Sequence, residues 1–459
     1  MDLKEYIASL KDKKVAVAGV GISNTPLLRL LAKSGIRVTA CDRRSPEALG
    51  GVYEELRDLG VDFRLGDGYL DGLDADVIFR TPGLHPETPG LADAVARGAV
   101  LTSEMEAFFE VCPCRIVAVT GSDGKTTTTT VISELLKAAG YTVHVGGNIG
   151  HPLLCEAGDM SPEDFAVLEL SSFQLMTMTR SADVAVVTNV APNHLDIHRS
   201  MDEYVDAKRR VFKNQTPDGL TVLNLDNDIT RGFMAEAKGA VRAFSRRERP
   251  EDGVYLEGGV IWDVQGEKRT RIMDASEIFI PGVHNVENYM AAFAAVRDLV
   301  SPEICRRVAM EFTGVEHRIE LVRTLHGVKY YNDSIASSPS RTIAGLRCFD
   351  KKVVLIADGK DKGVSFDDLG PEIVDHVKTL VLTGFTAEKI RDAVLRAKNY
   401  AGEPEIRMVE DFRDAVLEAQ RAAEEGDSVI LSPASTSFDR FKNFEERGNV
   451  FKKIVNELE

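Results

Sequence analysis

Residues 115–127 read Arg-Ile-Val-Ala-Val-Thr-Gly-Ser-Asp-Gly-Lys-Thr-Thr, and this stretch decides the fold class. Its first half is a short apolar run rich in valine and isoleucine, which predicts a buried strand. Two glycines then predict a turn. Apolar residues at Val131, Leu135 and Leu136 recur at helical spacing and predict a helix directly afterwards. Strand, glycine turn and helix in this order are typical of a parallel α/β sheet.

The glycine turn predicts a phosphate-binding loop. Glycines let backbone N–H groups face an anion, and the N-terminus of the following helix adds its dipole. Lys125 is placed to reach the outer phosphates of a nucleotide, and the Thr126 hydroxyl to bind Mg²⁺. Val119 stands where the first glycine of the usual motif would fall. We predict nucleotide binding by Gly121, Ser122, Asp123, Gly124, Lys125, Thr126 and Thr127.

Apolar strands alternate with segments of helical length along almost the whole chain of 459 residues. This rhythm predicts an α/β protein with largely parallel sheets, and its length predicts several domains. We predict three domains: a Rossmann-like domain over residues 1–111, a central P-loop ATPase-like domain over 112–313, and a second Rossmann-like domain over 314–459.

The composition indicates which partners to expect. The chain has 56 Lys and Arg against 72 Asp and Glu, a net charge of −16. This balance disfavours nucleic acid or an anionic membrane as the main partner. No signal peptide, no run of about 20 apolar residues and no disulfide framework among the six cysteines is evident. We therefore expect a cytoplasmic monomer that binds neither nucleic acid nor membrane.

Polar residues after two later strands are candidate metal ligands. Glu169 ends the run Phe-Ala-Val-Leu-Glu-Leu, where a carboxylate beside a phosphate loop is well placed to hold Mg²⁺. His194 follows another apolar run and is a second candidate. Tyr204 and Lys208 are spaced i, i+4 on a predicted helix and share one face. The residues alone favour a solvated helix lysine at position 208.

Several motifs, in order over nearly the whole chain, resemble the Mur ligase family. They are TGSDGKTT (120–127), ELSSFQL (169–175), NVAPNHLDIH (189–198), Tyr204 with Lys208, GVHNVEN (282–288), Glu316-His317-Arg318, Asn332-Asp333-Ser334 and SPASTSFDRFKNFEERGNVF (432–451). Within the family, ELSSFQL and the carboxyl-terminal run resemble the members that add D-glutamate to UDP-N-acetylmuramoyl-L-alanine in peptidoglycan synthesis. The resemblance implies an ATP-dependent ligase with an acyl-phosphate intermediate.

The resemblance also implies a role for each candidate residue. Catalysis would depend on Lys125, His194 and Lys208. Two Mg²⁺ ions would be held by Thr126, Glu169, His194 and Lys208, with Lys208 present as a carbamate. ATP would further contact Asn285, Asn288, His317, Arg318 and Asp333. The muramoyl-alanine part would contact Asn148, Ser171 and Gln174, and D-glutamate would contact Ser337, Lys362, Ser437 and Phe444.

Two positions depart from the family pattern. Ile335 stands where a lysine is frequent, which removes one contact expected for the incoming amino acid's carboxylate. Asn193 replaces an acidic residue that often precedes the histidine.

The first domain carries a weaker glycine motif. Gly19 and Gly21 follow a strand, Asn24 replaces the third glycine of a dinucleotide fingerprint, and Asp42 closes the next strand. Taken alone, this pattern leaves an NAD-dependent dehydrogenase open, which NADH fluorescence on titration would test. The resemblance instead implies that this domain binds the UDP group through Ser23, Asp42, Arg44, Thr81, Pro82 and Gly83.

Two further alternatives stay open. The first is another amino-acid ligase of the same superfamily, either a different Mur ligase or a folylpolyglutamate synthetase, and the SSFQL run and the length of the first domain disfavour the latter. A non-catalytic nucleotide sensor would require loss of catalytic groups, but Lys125, Glu169, His194 and Lys208 are all present.

Overall fold

The computed structural model describes residues 1–192, 198–360 and 363–459, and its strands form three sheets. The first sheet is parallel throughout, in the order β3-β2-β1-β4-β5. Its strands are β1 (Val15–Ala18), β2 (Val38–Asp42), β3 (Asp62–Leu65), β4 (Val77–Arg80) and β5 (Val100–Thr102). The helices of this part are α1 (Leu3–Ala8), α2 (Asn24–Lys33), α3 (Pro46–Leu49), α4 (Gly51–Asp58), α5 (Pro89–Ala96) and α6 (Glu104–Val111).

The second sheet is the largest, with the order β14-β13-β12-β11-β10-β9-β6-β8-β7. Its strands are β6 (Arg115–Thr120), β7 (Val143–Gly147), β8 (Phe165–Glu169), β9 (Val184–Val187), β10 (Leu220–Asn224), β11 (Ala240–Ser245), β12 (Asp252–Glu257), β13 (Val260–Gln265) and β14 (Lys268–Asp274). The helices that follow in the chain are α7 (Lys125–Ala138), α8 (Ser172–Leu175), α9 (Met201–Lys213), α10 (Asp228–Gly232) and α11 (Val283–Val296). Short 3₁₀ helices span Leu154–Asp159, Phe233–Ala235 and Ala275–Glu277.

The third sheet has the order β15-β16-β20-β17-β18-β19, and only the β15–β16 pair is antiparallel. Its strands are β15 (Glu320–Leu325), β16 (Val328–Asn332), β17 (Val353–Asp358), β18 (Val377–Leu382), β19 (Glu405–Met408) and β20 (Ser428–Ala434). The remaining helices are α12 (Pro302–Glu311), α13 (Pro339–Leu346), α14 (Leu369–His376), α15 (Ala387–Leu395), α16 (Phe412–Ala422) and α17 (Phe444–Glu457).

The predicted α/β class is confirmed, because parallel pairing dominates all three sheets. Each sheet has an interior strand that is buried along its length, namely β1, β6 and β17, and only Arg115 at the start of β6 is exposed. Strands covered on both faces read as continuous apolar runs, which is why the sequence located them. The antiparallel meander of β12, β13 and β14 was not predicted, since its buried and exposed residues are mixed.

Contacts along the chain define two compact units. Unit 1 comprises residues 1–277 and 286–310 and contains the first two sheets. Unit 2 comprises residues 278–285 and 311–459 and contains the third. Within residues 1–192, 198–360 and 363–459, no helix has both the length and the apolar character needed to cross a bilayer.

Candidate active site

The phosphate loop and Glu169 lie at the same edge of the second sheet. Strand β6 pairs with β8 so that Val119 lies opposite Glu169, and the loop begins two residues further on, at Gly121. Parallel strands end at a common edge, so the carboxylate and the loop are neighbours. The Leu170 N–H donates to the Val119 carbonyl at 2.8 Å and continues the pairing past the strand end. The predicted juxtaposition of loop and carboxylate is confirmed.

Two lysines converge on a single carbonyl of this loop. Lys125 Nζ donates to the Gly121 carbonyl at 3.0 Å and to the Ser122 carbonyl at 2.9 Å. Lys208 Nζ, from helix α9, donates to the same Gly121 carbonyl at 2.7 Å. The positive charge of Lys125 lies at the N-terminus of α7, and together with the helix dipole it creates a local positive potential, despite the net negative charge of the chain.

Lys208 is a buried lysine, with 1% of its surface exposed. Burial, followed by the positive charge of Lys125, lowers its pKa well below the usual value, and Asp123 opposes the shift. Its Nζ lies 4.6 Å from the centre of the Tyr204 ring, whose hydroxyl is 2.9 Å from Ser122 Oγ. The solvated-lysine interpretation that the residues alone favoured is therefore wrong.

The loop after β9 braces the phosphate loop. Thr188 Oγ1 donates to the Asp123 carbonyl at 2.6 Å, and Asn189 Oδ1 accepts the Asp123 N–H at 3.0 Å. Gly121 has a φ of 152°, and a Cβ there would collide with Thr188 Oγ1. Tight packing on both sides holds the loop in one conformation. Sequence reasoning placed no function on Thr188 or Asn189.

Asn288 of helix α11 lies against the same loop, as its predicted ATP-binding role requires. Thr128 Oγ1 donates to Asn288 Oδ1 at 3.3 Å. Gly124, which precedes α7, is left-handed with a φ of 78°, and a Cβ there would collide with Asn288 Oδ1. A glycine is therefore required where the amide approaches the loop.

Glu169 presents an oxygen suited to a metal ion. The residue is 2% exposed, and its Oε1 accepts a hydrogen bond from Asn148 Nδ2 at 2.7 Å. Its Oε2 is buried without a hydrogen-bond partner among the described residues. A buried carboxylate oxygen lacking a donor is costly unless a cation or proton satisfies it. The Asn148 amide, predicted to contact the muramoyl-alanine part, donates this hydrogen bond to the carboxylate.

His194, the other predicted metal ligand, lies outside the described residues, as does Asn193. Among the residues that are described, no group of three or more His, Cys, Asp and Glu side chains could hold a metal ion. Thr126 lies in the first turn of α7, and its carbonyl accepts the Thr130 hydroxyl at 2.8 Å.

Ser171 and Gln174 form a capping box at the start of α8. The Ser171 N–H donates to Gln174 Oε1 at 2.9 Å, and the Gln174 N–H donates to Ser171 Oγ at 3.3 Å. The neighbouring Ser172 Oγ lies 2.8 Å from Nε2 of the buried His198, which stacks on Phe173 at 5.3 Å. The predicted substrate-binding run is therefore held rigidly next to β8.

The glycine loop of the first sheet is hydrogen-bonded to a carboxylate of the protein itself, that of Asp42. Asp42 Oδ2 accepts the Val20 N–H at 2.7 Å and a hydrogen bond from Arg44 Nη2 at 2.9 Å. Burial raises the pKa of Asp42, but the bonds from Arg44 and Val20 outweigh it, and the net pKa is lowered. Ser23 lies directly before α2, and Asn24 Nδ2 donates to the Gly19 carbonyl at 2.9 Å. The predicted UDP-binding residues of this loop are thus close together.

Arg80 supports the Thr81-Pro82-Gly83 turn through hydrogen bonds of its guanidinium, and the sequence analysis did not identify this residue. Arg80 is 1% exposed, and its Nη1 donates to the Leu84 carbonyl at 2.8 Å. Its Nη2 donates to the Phe173 carbonyl at 2.5 Å, across to the second sheet's α8. Burial lowers the pKa of Arg80 to about 10. The sequence shows only an arginine at the end of the apolar run Val77–Arg80, and its burial could not be predicted from that.

In unit 2, His317 and Asp333 are both buried. His317 has a φ of 63°, its Nδ1 lies 2.9 Å from Asn332 Nδ2, and burial lowers its pKa. Asp333 Oδ2 accepts the Ser432 hydroxyl at 2.7 Å, and burial raises the pKa of Asp333 to about 7. Arg318 favours the charged form of Asp333. These three predicted ATP-binding residues therefore lie together in unit 2.

Phe444 lies beside His317, with ring centres 5.9 Å apart and nearly perpendicular. Its carbonyl accepts the Ser334 hydroxyl at 2.7 Å. Ser437 is buried after β20, whereas Ser337 is half-buried before α13. Lys362, predicted to contact D-glutamate, lies outside the described residues. Asn285, at the start of α11, donates to the Pro281 carbonyl at 2.5 Å.

Arg447 is a second functional candidate that sequence reasoning did not assign. It is fully buried, and its Nε donates to Ser334 Oγ at 3.1 Å while its Nη2 donates to the Ser435 carbonyl at 3.1 Å. It thereby ties the loop after β16 to the loop after β20. Asp358 faces it at 3.6 Å, and burial raises the pKa of this carboxyl to about 6.

Comparison with known proteins identifies the family. The Mur ligase middle domain matches residues 119–296, and the Mur ligase glutamate ligase domain matches residues 317–435. A protein of Acetivibrio thermocellus is 54% identical over 100% of this chain and 99% of its own length. One of Ruminiclostridium cellulolyticum is 51% identical over 99% of both chains. The chain belongs to the Mur ligase family.

Both relatives are named UDP-N-acetylmuramoylalanine–D-glutamate ligase. Solved structures agree on the fold. The UDP-N-acetylmuramate-alanine ligase of Thermotoga maritima has a TM-score of 0.58 at 18% identity, covering 97% of this chain and 99% of that one. The UDP-N-acetylmuramoylalanyl-D-glutamyl-2,6-diaminopimelate–D-alanyl-D-alanyl ligase of Acinetobacter baumannii has a TM-score of 0.56 at 15% identity, covering 84% and 91%.

Proposed function

We propose that this protein adds D-glutamate to the carboxyl end of UDP-N-acetylmuramoyl-L-alanine, with hydrolysis of ATP to ADP and phosphate, in peptidoglycan precursor synthesis. The observation that carries the proposal is the identity of 54% to a relative of that name over the full chain. The convergence of Lys125 and Lys208 at the phosphate loop supports it. We further propose that the protein acts as a monomer in the cytoplasm.

The chemistry explains why a cationic side chain is needed at the outer phosphates. A carboxylate resists attack by an amine because it is anionic and has no good leaving group. Transfer of the γ-phosphate of ATP to the carboxylate forms an acyl phosphate, from which phosphate leaves when the amine of D-glutamate attacks the carbonyl carbon. The first step brings two anions together, so the enzyme must neutralise charge and fix an in-line geometry. Lys125 is placed to do both at the outer phosphates.

We propose that two Mg²⁺ ions bind at this site. Thr126 and Glu169 would hold the first, and the unpartnered Glu169 Oε2 is the observation that favours it. His194 and Lys208 would hold the second. When bound, the ions would neutralise phosphate oxygens and so favour transfer of the phosphoryl group from one anion to the other. The Asn148 amide orients the Glu169 carboxylate through a hydrogen bond of 2.7 Å.

We infer that Lys208 carries a carbamate formed with CO₂. An ammonium would repel a cation, whereas a carbamate offers anionic oxygens. Only an unprotonated amine reacts with CO₂, and burial of Lys208 beside Lys125 disfavours the protonated form. The ring of Tyr204 and the Gly121 carbonyl position the nitrogen.

The remaining ligand contacts follow the same assignment. ATP would also contact Asn285, Asn288, His317, Arg318 and Asp333, and D-glutamate would contact Ser337, Lys362, Ser437 and Phe444. The UDP group would contact Ser23, Asp42, Arg44 and the turn at residues 81–83, and the muramoyl-alanine part would contact Ser171 and Gln174. We place the domain boundaries near residues 111 and 313.

The test is a substrate screen with the purified protein, ATP, Mg²⁺ and UDP-N-acetylmuramoyl-L-alanine. D-Glutamate, L-glutamate, D-aspartate and L-lysine are supplied separately, and phosphate release and product mass are both recorded. We expect turnover with D-glutamate, and a product heavier by one glutamyl residue. Turnover with L-lysine alone would replace the assigned specificity. Amide product without ADP would overturn the proposed chemistry altogether.

A further inference from the structure

Cys112 and Cys114 form a close thiol pair outside the candidate active site. Their sulfur atoms lie 3.3 Å apart, on either side of the exposed Pro113. Cys112 is half-buried and Cys114 is 5% exposed. Both are free thiols, as are the other four cysteines of the chain. The family assignment uses neither sulfur.

Secondary structure on both sides holds the two sulfurs together. Cys112 follows the last turn of α6, and its N–H donates to the Phe108 carbonyl at 2.9 Å. Cys114 directly precedes β6, which is paired with β8 and β9 along its length. The Ile116 N–H is additionally bound by Asp183 Oδ2 at 2.8 Å. The distance between the sulfurs is therefore set by the junction of α6 and β6, and not by chance encounters of two mobile side chains.

The two thiols of the pair also differ in pKa. Hydrogen bonding from the Cys112 thiol lowers the pKa of Cys114, although burial and the nearby Asp164 oppose the shift. The same bond raises the pKa of Cys112. A thiolate stabilised by a neighbouring thiol is the nucleophilic member of such pairs.

We propose that Cys112 and Cys114 are a reversible thiol–disulfide modification site, with hydroperoxides as the oxidant class. The Cys114 thiolate attacks one peroxide oxygen, the O–O bond breaks, and a sulfenic acid forms while hydroxide takes up a proton and leaves as water. The Cys112 thiol then gives up its proton as its sulfur attacks the Cys114 sulfur. The S–O bond breaks, the leaving hydroxide takes that proton to become a second water, and the S–S bond forms. Two thiols and one hydrogen peroxide thus give one disulfide and two waters.

The movement required is small and falls on one side of the pair. A disulfide needs a sulfur separation of about 2.05 Å. Strand β6 pairs with β8 from Arg115 and with β9 from Val117, so we expect the end of α6 and Pro113 to absorb the shift. We therefore expect oxidation to leave the phosphate loop at the far end of β6 in place.

The experiment uses the full-length protein, reduced and then treated with a few equivalents of hydrogen peroxide. After denaturing alkylation, peptide mass spectrometry reads each cysteine. We expect the peptide holding both residues to lose about 2 Da and to resist alkylation, with recovery after dithiothreitol. We expect Cys41, Cys155, Cys305 and Cys348 to be alkylated in full. Free thiols at both positions 112 and 114, or disulfides to any other cysteine, would overturn the proposal.

Two variants and a second probe sharpen the result. Cys112→Ser keeps the nucleophile but lacks its partner, so a sulfenic acid at Cys114 should be trapped by dimedone, whereas Cys114→Ser should give much less adduct. Phenylarsine oxide reacts with two adjacent thiols with loss of water, and should bind one per wild-type chain. A dithiol competitor should release it. Equal arsenical binding by wild type and both variants would contradict the pair.

Discussion

The two glycine loops of unit 1 occupy similar positions in their sheets but have differently charged neighbours. Each follows a strand that is paired in parallel on both sides and precedes a helix, and each begins with a glycine of positive φ, Gly19 at 95° and Gly121 at 152°. Each of these glycines also packs against a threonine from a later strand end, Thr81 or Thr188. The first loop encloses the Asp42 carboxylate, however, whereas the second has two lysines on one carbonyl. The two loops therefore differ in the charged side chains that surround them.

The largest effect is expected at the second loop's own lysine. Lys125→Ala should lower kcat by about 10²–10³-fold, since it removes a charge that stabilises the transferring phosphoryl group. Lys137→Ala on the same helix is the matched control, because its side chain is half exposed and pairs with Glu134 at 3.0 Å. Steady-state phosphate release measures both. An unchanged rate of product synthesis by Lys125→Ala would contradict the role given to this lysine at the second loop.

Lys208→Ala tests the lysine that reaches the second loop from α9. We expect a loss of activity of about 10²-fold, partly restored by formate or acetate, which can supply the missing carboxylate oxygens. Lys213→Ala is the control on the same helix, where an exposed side chain pairs with Asp206 at 3.4 Å. Intact-mass spectrometry at neutral pH under CO₂ gives a readout independent of turnover, an increase of about 44 Da in the wild type alone. No loss, or loss without rescue, would count against the carbamate.

Gly121→Ala tests the glycine of positive φ with which the second loop begins. The added methyl would collide with Thr188 Oγ1 at a φ that L-residues rarely adopt, so we expect a destabilisation of about 3 kcal/mol. Gly21→Ala in the first loop is the contrasting variant, because a Cβ there has no neighbour among the described residues within 4 Å. Its effect should stay within about 0.5 kcal/mol. Urea unfolding measures both, and equal midpoints would refute the tight packing described for Gly121.

Asp42→Asn tests the carboxylate that closes the first loop, and its effect depends on pH. The folded pKa of Asp42 is lowered, so its stabilisation is present above the unfolded pKa of about 3.9 and is lost as pH falls through the folded value. We expect the variant to be less stable by about 2 kcal/mol at pH 7 and nearly equal to wild type at the lowest pH. Urea unfolding of both proteins at pH values from about 2 to about 7 measures this pH dependence of stability.

The matched control for this variant is Asp62→Asn in the same sheet. Asp62 is exposed and lies 3.5 Å from an exposed Arg37, so its removal should cost well under about 1 kcal/mol at every pH. If the two variants behave alike, Asp42 does not close the loop in the way its hydrogen bonds indicate.

The sequence was sufficient where apolar runs or a glycine motif marked the structure. Strands such as β2, β8 and β17 and the neighbouring positions of Glu169 and the phosphate loop were predicted from the residues alone. The burial of Lys208 was not, because helical spacing does not show which face of α9 is covered. Its role came only from the resemblance, and the family is confirmed by the relatives. The roles of individual residues stay predictions.

Other features could not be predicted because they depend on contacts distant in sequence. Arg80 and Arg447 resemble surface arginines until the carbonyls that surround them are known. The β12–β14 meander lacks a continuous apolar run because one of its faces is open to solvent. His194 and Lys362 lie outside the described residues.

Arg80 has a consequence for protein engineering. Its guanidinium belongs to the first sheet, yet part of its hydrogen bonding comes from the Phe173 carbonyl of the second. A chimera that replaces residues 1–111 with those of a homologue lacking this arginine would leave the Phe173 carbonyl without its donor. A buried acceptor without a donor costs about 1–3 kcal/mol, so exchanges between homologues should carry the segment around α8 together with the first sheet.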